Sequence, residues 1–149
     1  MSIAPVRCSD PRVGHIVSAF EQLKRDDVGR LGSLYATHAR FKDPFNEVQG
    51  VAAIQAVFDH MFVALSAPRF VVRDILCQGD QCFLSWDFIF RFKRFSAGVQ
   101  TVRGSSHLKL NAQGQITDHR DYWDAAEELY EKLPVVATLM RWLKRRANS

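Results

Sequence analysis

Three aspartates stand in surroundings that an ordinary surface acid would avoid. Asp43 sits between Phe41-Lys42 and Pro44, Asp87 lies inside the apolar run Cys82 to Phe90, and Asp121 lies in Asp118-His119-Arg120-Asp121-Tyr122-Trp123. A carboxylate among apolar groups costs several kcal/mol unless it is paired. Two such acids meeting in an apolar hollow share one proton, because burial and mutual repulsion both oppose the second charge. One then donates to a leaving or enolic oxygen while the other accepts a proton from carbon or water. The pattern predicts acid–base chemistry by Asp43, Asp87 and Asp121 on a hydrophobic substrate bearing a ketone, enone or epoxide. Each acid also has a structural use. Asp43 before proline forms turns, and Asp87 has Arg73 and Arg103 as candidate partners on adjacent strands.

Alternation along a strand sorts the neighbours of these acids. Phe41 shares a face with Asp43. Phe83, Ser85, Asp87 and Ile89 share one face, opposite Cys82, Leu84, Trp86, Phe88 and Phe90. His119 and Trp123 share the face of Asp121, and Ser106 shares one with Leu108 and Leu110. The expected substrate-binding set is Phe20, Tyr35, Phe41, Phe58, Phe62, Ser85, Ser106, His119 and Trp123. Trp86, Phe88 and Phe90 are read as packing under helices or a partner chain. His119 either orients Asp121 and serves as a second base, or is a buried histidine satisfied by one hydrogen bond. A metal on His119 and Asp121 would need a third ligand to which the sequence does not point. No glycine-rich phosphate loop or Gly-x-Ser-x-Gly elbow occurs, so neither metal nor cofactor is expected.

The elements that must position these groups change period halfway along the chain. Ser9-Asp10-Pro11 starts a helix carrying Val13, Ile16, Val17, Phe20 and Leu23 inward to about Arg25. A second helix begins near Asp26-Asp27, a short strand covers Ala39 to Asp43, and Gly50 precedes a third helix closed by Pro68. Four strands follow, over Phe70–Gln78, Gln81–Phe92, Val99–Leu110 and Gln115–Trp123, separated by short turns suited to antiparallel neighbours. Ala125 to Leu133 returns to helix. One α+β domain over residues 1–149 is expected: three N-terminal helices covering a strongly curved antiparallel sheet in a cone-shaped barrel. The hollow of such a cone is a natural small-molecule site. Residues 1–10 are expected to be flexible, and residues 134–149 to form a basic amphipathic helix.

The 149 residues include 20 basic and 16 acidic ones, a net charge of +4. Arg141, Lys144, Arg145 and Arg146 account for that excess, which leaves the body neutral and without the basic stripe of a nucleic-acid binder. With Val135, Val136, Leu139, Met140, Trp142 and Leu143, the last helix caps the pocket, packs on a second subunit or lies on an anionic membrane surface. A homodimer is favoured. The start MSIAPVRCSD does not read as a secretory signal, so a cytoplasmic protein with Cys8, Cys77 and Cys82 as free thiols is expected, a Cys77–Cys82 pair being the alternative.

The order of elements, the Asp-Pro after the first strand and the late Arg-Asp-Tyr-Trp-Asp together resemble the SnoaL-like and ketosteroid-isomerase-like families of the nuclear-transport-factor-two-like superfamily. The likeness covers roughly Val13 to Tyr130. Leu34-Tyr35-Ala36, Phe41-Lys42-Asp43-Pro44 and Gly50 are similar to the isomerases' strand and helix entry, where the aspartate matching Asp43 moves a proton beside a ketone. Ile116 to Asp124 is similar to limonene epoxide hydrolase, where the aspartate matching Asp121 is one of two that handle water and the epoxide oxygen; Asp87 falls where the other belongs. The sequence also departs from both. Ser106 and Ala19 stand where the isomerases carry their protonated aspartate and tyrosine, Ser85 stands at the hydrolase arginine, and Phe41 and Asp43 replace its water-holding pair. The resemblance implies an isomerase, epoxide hydrolase or cyclase without cofactor; a non-catalytic ligand-binding or protein-interaction module on the same fold is the alternative.

Overall fold

In a computed structural model of the chain, which describes residues 8–93, 98–128, 142–143 and 145–147, the first helix starts at a side-chain cap. The Asp10 carboxylate accepts from the Arg12 amide at 2.9 Å, and Pro11 occupies the first turn, where its missing N–H costs nothing. Helix α1, Pro11–Glu21, buries Val13, Ile16, Val17 and Phe20, and ends earlier than its apolar period suggests. The expected second helix is a 3-10 helix, Arg25–Ser33. Its buried residues, Val28 and Leu31, are three apart, the repeat of that tighter spiral. Helix α2, Val51–Ala64, follows Gly50, whose φ of 94° is readily adopted only by glycine.

Six strands form one sheet in the order β2-β1-β6-β5-β4-β3. They are β1 Tyr35–Lys42, β2 Glu47–Gln49, β3 Leu65–Gln78, β4 Gln81–Phe92, β5 Val99–Leu110 and β6 Ile116–Tyr122. The expected α+β fold is present, with the helices on the concave side of an open, curved sheet. β4 and β5 run over the predicted residues. β2 is a short edge strand with no periodic signal of its own. β3 begins before Pro68, which falls at a register shift between Ser66 and Arg69, next to Ala67 at φ 49°. A proline fits there because β3 is an edge strand and the ladder is already interrupted. Neighbouring strands are antiparallel except β1 with β6, which pair in parallel and place Phe41 beside His119.

Inward side chains of the sheet, including Phe41, Val72, Leu84, Trp86, Phe90 and Leu108, merge with those of the helices into one core. The outer face leaves Leu76, Phe83 and Tyr122 exposed. A short helix, α3, Ala125–Glu128, lies against β5 and is held by Arg103, whose Nη2 lies 2.9 Å from Glu128. The continuation expected to Leu133 and most of the tail helix of residues 134–149 lie outside the described residues. Among the described residues no helix is long and apolar enough to cross a membrane.

The cysteines correct the sequence reading. Cys8 and Cys77 form a disulfide with their Cα atoms 5.9 Å apart, and Cys82 alone is a free thiol. The N-terminus of α1 lies over the ends of two hairpins, which brings Cys8 against Cys77 of β3. Arg12 joins the same parts: Nη1 reaches Asp80 at 2.8 Å and the Asn111 carbonyl at 3.4 Å, while Nη2 holds Asp10 at 2.9 Å. Cys8 to Asp10, expected to be flexible, are therefore anchored; residues 1–7 lie outside the described residues.

The disulfide spans a sequence separation of 69, long enough for cross-linking to restrict the unfolded chain by about 2–4 kcal/mol. A Cys8→Ser variant is expected to lose stability of that size in denaturant melts, and reductant to lower the wild type to match; identical melts would contradict this. Burial pushes the Cys82 thiol up from 9.0 to about 11. Between these values the unfolded chain has released the proton and the folded chain retains it, so stability is complete below pH 9 and falls as pH rises. A Cys82→Ala variant, less stable at neutral pH, is expected to show a smaller additional loss between pH 9 and 11 in thermal melts. An equal loss in both proteins would refute the assignment.

Candidate active site

Inside the curve of the sheet lies a cavity of about 420 Å³, in the range of small-molecule sites. Its wall is mostly apolar and rich in aromatic rings: Phe70 from β3, Trp86, Phe88 and Phe90 from β4, and Phe20 and Phe58 from the helices. Trp86, Phe88 and Phe90 of β4 pack under the helices as the sequence suggests, and they also line the hollow, a role the sequence reading did not give them. The signal was available, since the even-numbered series of β4 is uniformly apolar while the odd series carries Ser85, Asp87 and Arg91. Polar groups on the wall are few. Asp121, His119 and Ser106 stand at one place, and Asp43, Asn46 and His60 complete the set among the described residues, apart from the indoles of Trp86 and Trp123.

Register assembles the first of these places. Ser106 of β5 is directly opposite Asp121 of β6, and Leu108 is opposite His119. The Ser106 hydroxyl donates to Asp121 Oδ1 at 2.5 Å and accepts from Trp86 Nε1 at 2.8 Å. Asp121 Oδ1 takes a second bond from His119 Nε2 at 2.7 Å. A carboxylate only accepts, so Nε2 carries the hydrogen; in the neutral ring Nδ1 then accepts from the Tyr35 hydroxyl, 2.7 Å away. Tyr35 is fully buried, and burial followed by the charge of Asp121 raises its pKa well above 10, which keeps that hydroxyl protonated. The imidazole is also boxed by rings, with Phe41 at 4.7 Å and Phe20 at 5.7 Å between centroids and Tyr35 stacked at 6.0 Å. The relay from Trp86 through Ser106, Asp121 and His119 to Tyr35 satisfies every polar atom along it except Asp121 Oδ2. That oxygen has no hydrogen-bond partner among the described residues.

Trp86 reaches Ser106 because of a glycine. Trp86 pairs across the sheet with Gly104, and a Cβ built there would lie 2.5 Å from Trp86 Cη2. The indole occupies the space of the missing side chain. Sequence reading gave Gly104 no role, and its only trace there was a glycine inside an otherwise regular strand.

The other expected site residues divide. Phe20, Phe41, Phe58, Ser106, His119 and Trp123 line the cavity. Tyr35 lies behind His119 and supports it without reaching the hollow, and Phe62 packs at the margin of the core. Asp43 reaches the wall but is also the turn former. Its Oδ1 accepts from the amides of Phe45 at 2.8 Å and Asn46 at 2.6 Å, and its Oδ2 accepts from Asn46 Nδ2 at 3.1 Å. Asp87 and Ser85 point to the outer face. Asp87 Oδ2 accepts from Arg73 Nη2 at 2.6 Å and Nε at 3.0 Å, because Arg73 is the extra residue of a bulge between Val72 and Asp74. Ser85 donates to Asp74 at 2.9 Å. The sheet thus brings Asp43 and Asp121 to one cavity and leaves Asp87 in the structural pairing. Among the described residues no three His, Cys, Asp or Glu side chains cluster as metal ligands.

Residues 16–119 match the SnoaL-like domain family. The chain belongs to that family. The match stops just short of Asp121, so the relay combines matched residues with one beyond them. Solved structures share the SnoaL-like fold at low identity. A Catenulispora acidiphila protein with a ketosteroid isomerase-like fold, in complex with trimethylamine, aligns with a TM-score of 0.70 and 15% identity, over 82% of this chain and 92% of its own. An M. tuberculosis LEH-like epoxide hydrolase gives 0.64 and 13%, over 88% and 94%. A putative SnoaL-like polyketide cyclase from Shewanella putrefaciens gives 0.65 and 15%, over 80% and 93%. No curated protein matches the sequence. The resemblance read from the Asp-Pro strand and the late Asp-Tyr-Trp is therefore upheld at the level of family and fold.

A Gly104→Ala variant is expected to displace the Trp86 indole from Ser106 and to cost about 1–3 kcal/mol as overpacking does. Thermal melts and near-ultraviolet circular dichroism report the two effects; a wild-type spectrum with a wild-type melt would contradict the packing argument.

Proposed function

We propose that this SnoaL-like chain is a cofactor-independent acid–base enzyme acting on a hydrophobic small molecule, with Asp121 as the proton-handling group. One observation carries the reading: Asp121 is fixed through Oδ1 by Ser106 and His119, while Oδ2 has no partner among the described residues in a largely apolar cavity. A base held this way loses little orientational freedom on reaching the transition state. In this reading Oδ2 takes a proton from carbon beside a ketone, or from a water that opens an epoxide. His119 keeps its Nε2–H on Oδ1 and spreads the charge, and Tyr35 holds the ring in that tautomer. The proton can then return to a neighbouring carbon or to the developing alkoxide. Further support comes from the fold, whose solved examples include an LEH-like epoxide hydrolase and a putative cyclase.

A second reading, a ligand-binding module, is favoured by a different observation. The pair of acids that two-group catalysis calls for is not free, since Asp43 spends both oxygens on its turn and Asp87 is paired with Arg73 on the outer face.

Hydrophobic ketones, enones and epoxides, followed by NMR for deuterium uptake at carbon and for ring opening, separate the two. Asp121→Asn is expected to lower kcat by about 10²–10⁴, the usual worth of a positioned acid–base group, with KM little changed, and Tyr35→Phe to shift the pH profile. No turnover of any of them by the wild type, or full turnover by Asp121→Asn, would favour the module.

A further inference from the structure

The wall of the cavity is one-sided in charge. Among the described residues no lysine or arginine lines it, and the ionisable side chains there are Asp43, His60, His119 and Asp121. Asp43 is engaged at both oxygens by the turn at Asn46, His60 is exposed on α2, and both ring nitrogens of His119 are bonded. The group left to meet a guest is Asp121 Oδ2, an acceptor beside a carboxylate charge. The same cavity wall carries the aromatic rings of Phe41, Phe70, Trp86 and Phe88. Aromatic faces attract cations and repel anions, and charges act on each other more strongly here than in water. Both effects have the same sign. A carboxylate guest meets like charge and negative ring faces, and a neutral guest gains apolar burial alone. A protonated amine gains burial, ring faces and an ion pair.

We propose that the chamber selects lipophilic amines in their protonated form, the ammonium N–H donating to Asp121 Oδ2 and the hydrocarbon body lying among the rings. The inference rests on the cavity being a ligand site and not on catalysis at Asp121. It also makes such amines competitors for the oxygen that the catalytic reading uses.

Three probes of one shape test it on the full chain at pH 7.4 by titration calorimetry: 2-naphthylmethylamine, 2-naphthalenemethanol and 2-naphthoate. The amine is expected to bind at least about tenfold more tightly than the alcohol, and the naphthoate more weakly than either. In Asp121→Asn the amine is expected to fall to the affinity of the alcohol, with the alcohol unchanged. Naphthoate binding as tightly as the amine, no binding by any probe, or an amine preference that survives in Asp121→Asn would each overturn the inference. Should that variant not fold, the order of the three probes on the wild type decides alone. Turnover of a neutral ketone without amine preference would sink this inference and leave the catalytic reading intact. Amine preference without turnover would do the reverse.

Discussion

The organisation of this molecule depends on keeping one carboxylate hydrogen-bonded inside an apolar chamber. Asp121 is mostly withdrawn from water, and an unpartnered charge there would cost more than a domain of this size can spare. The cost is met by groups delivered from three strands: an indole from β4, a hydroxyl from β5, and an imidazole from β6 itself. Each donor is in turn held by packing or by the strand ladder. The indole is seated in the gap at Gly104, the hydroxyl by cross-strand register, and the imidazole by the rings of Phe20, Phe41 and Tyr35. Such a network rigidifies its surroundings when complete and is costly when any member is missing.

Much of the architecture was legible because it follows from periodicity. The cap at Asp10, the extents of β4 and β5, and the assignment of His119 and Asp121 to one face all come from local rules of capping and alternation. What escaped depended on partners distant in sequence. The Cys8–Cys77 bond exists because α1 lies over two hairpin ends, and no spacing rule links residues 69 apart. Asp87 had an arginine available on either side, and the bulge that turns Arg73 toward it cannot be read from Val71-Val72-Arg73-Asp74 alone. Alternation also says which residues share a face without saying which face is concave. Alternation therefore does not by itself put Ser85 and Asp87 inside or outside; the apolar uniformity of Leu84, Trp86, Phe88 and Phe90 marks the inner side of β4.

Asp43 shows how a local demand can claim a residue that sequence alone marks for chemistry. It builds the turn after β1, accepting three bonds from the Asn46 neighbourhood on one oxygen alone. Its geometry answers the structural demand first. The carboxylate with a spare oxygen in the chamber is instead Asp121 of β6, held there by Ser106 and His119.

The chamber draws its polar floor and its greasy wall from different parts of the sheet. The floor belongs to interior strands β5 and β6, clamped on both sides by ladders; much of the wall belongs to β3, a margin with one free side and two register shifts, and to its neighbour β4. Changes at the margin can resize the room for a guest without moving the oxygen that greets it. The size of the chamber and the placement of its carboxylate are thereby uncoupled, being set by different strands of one sheet.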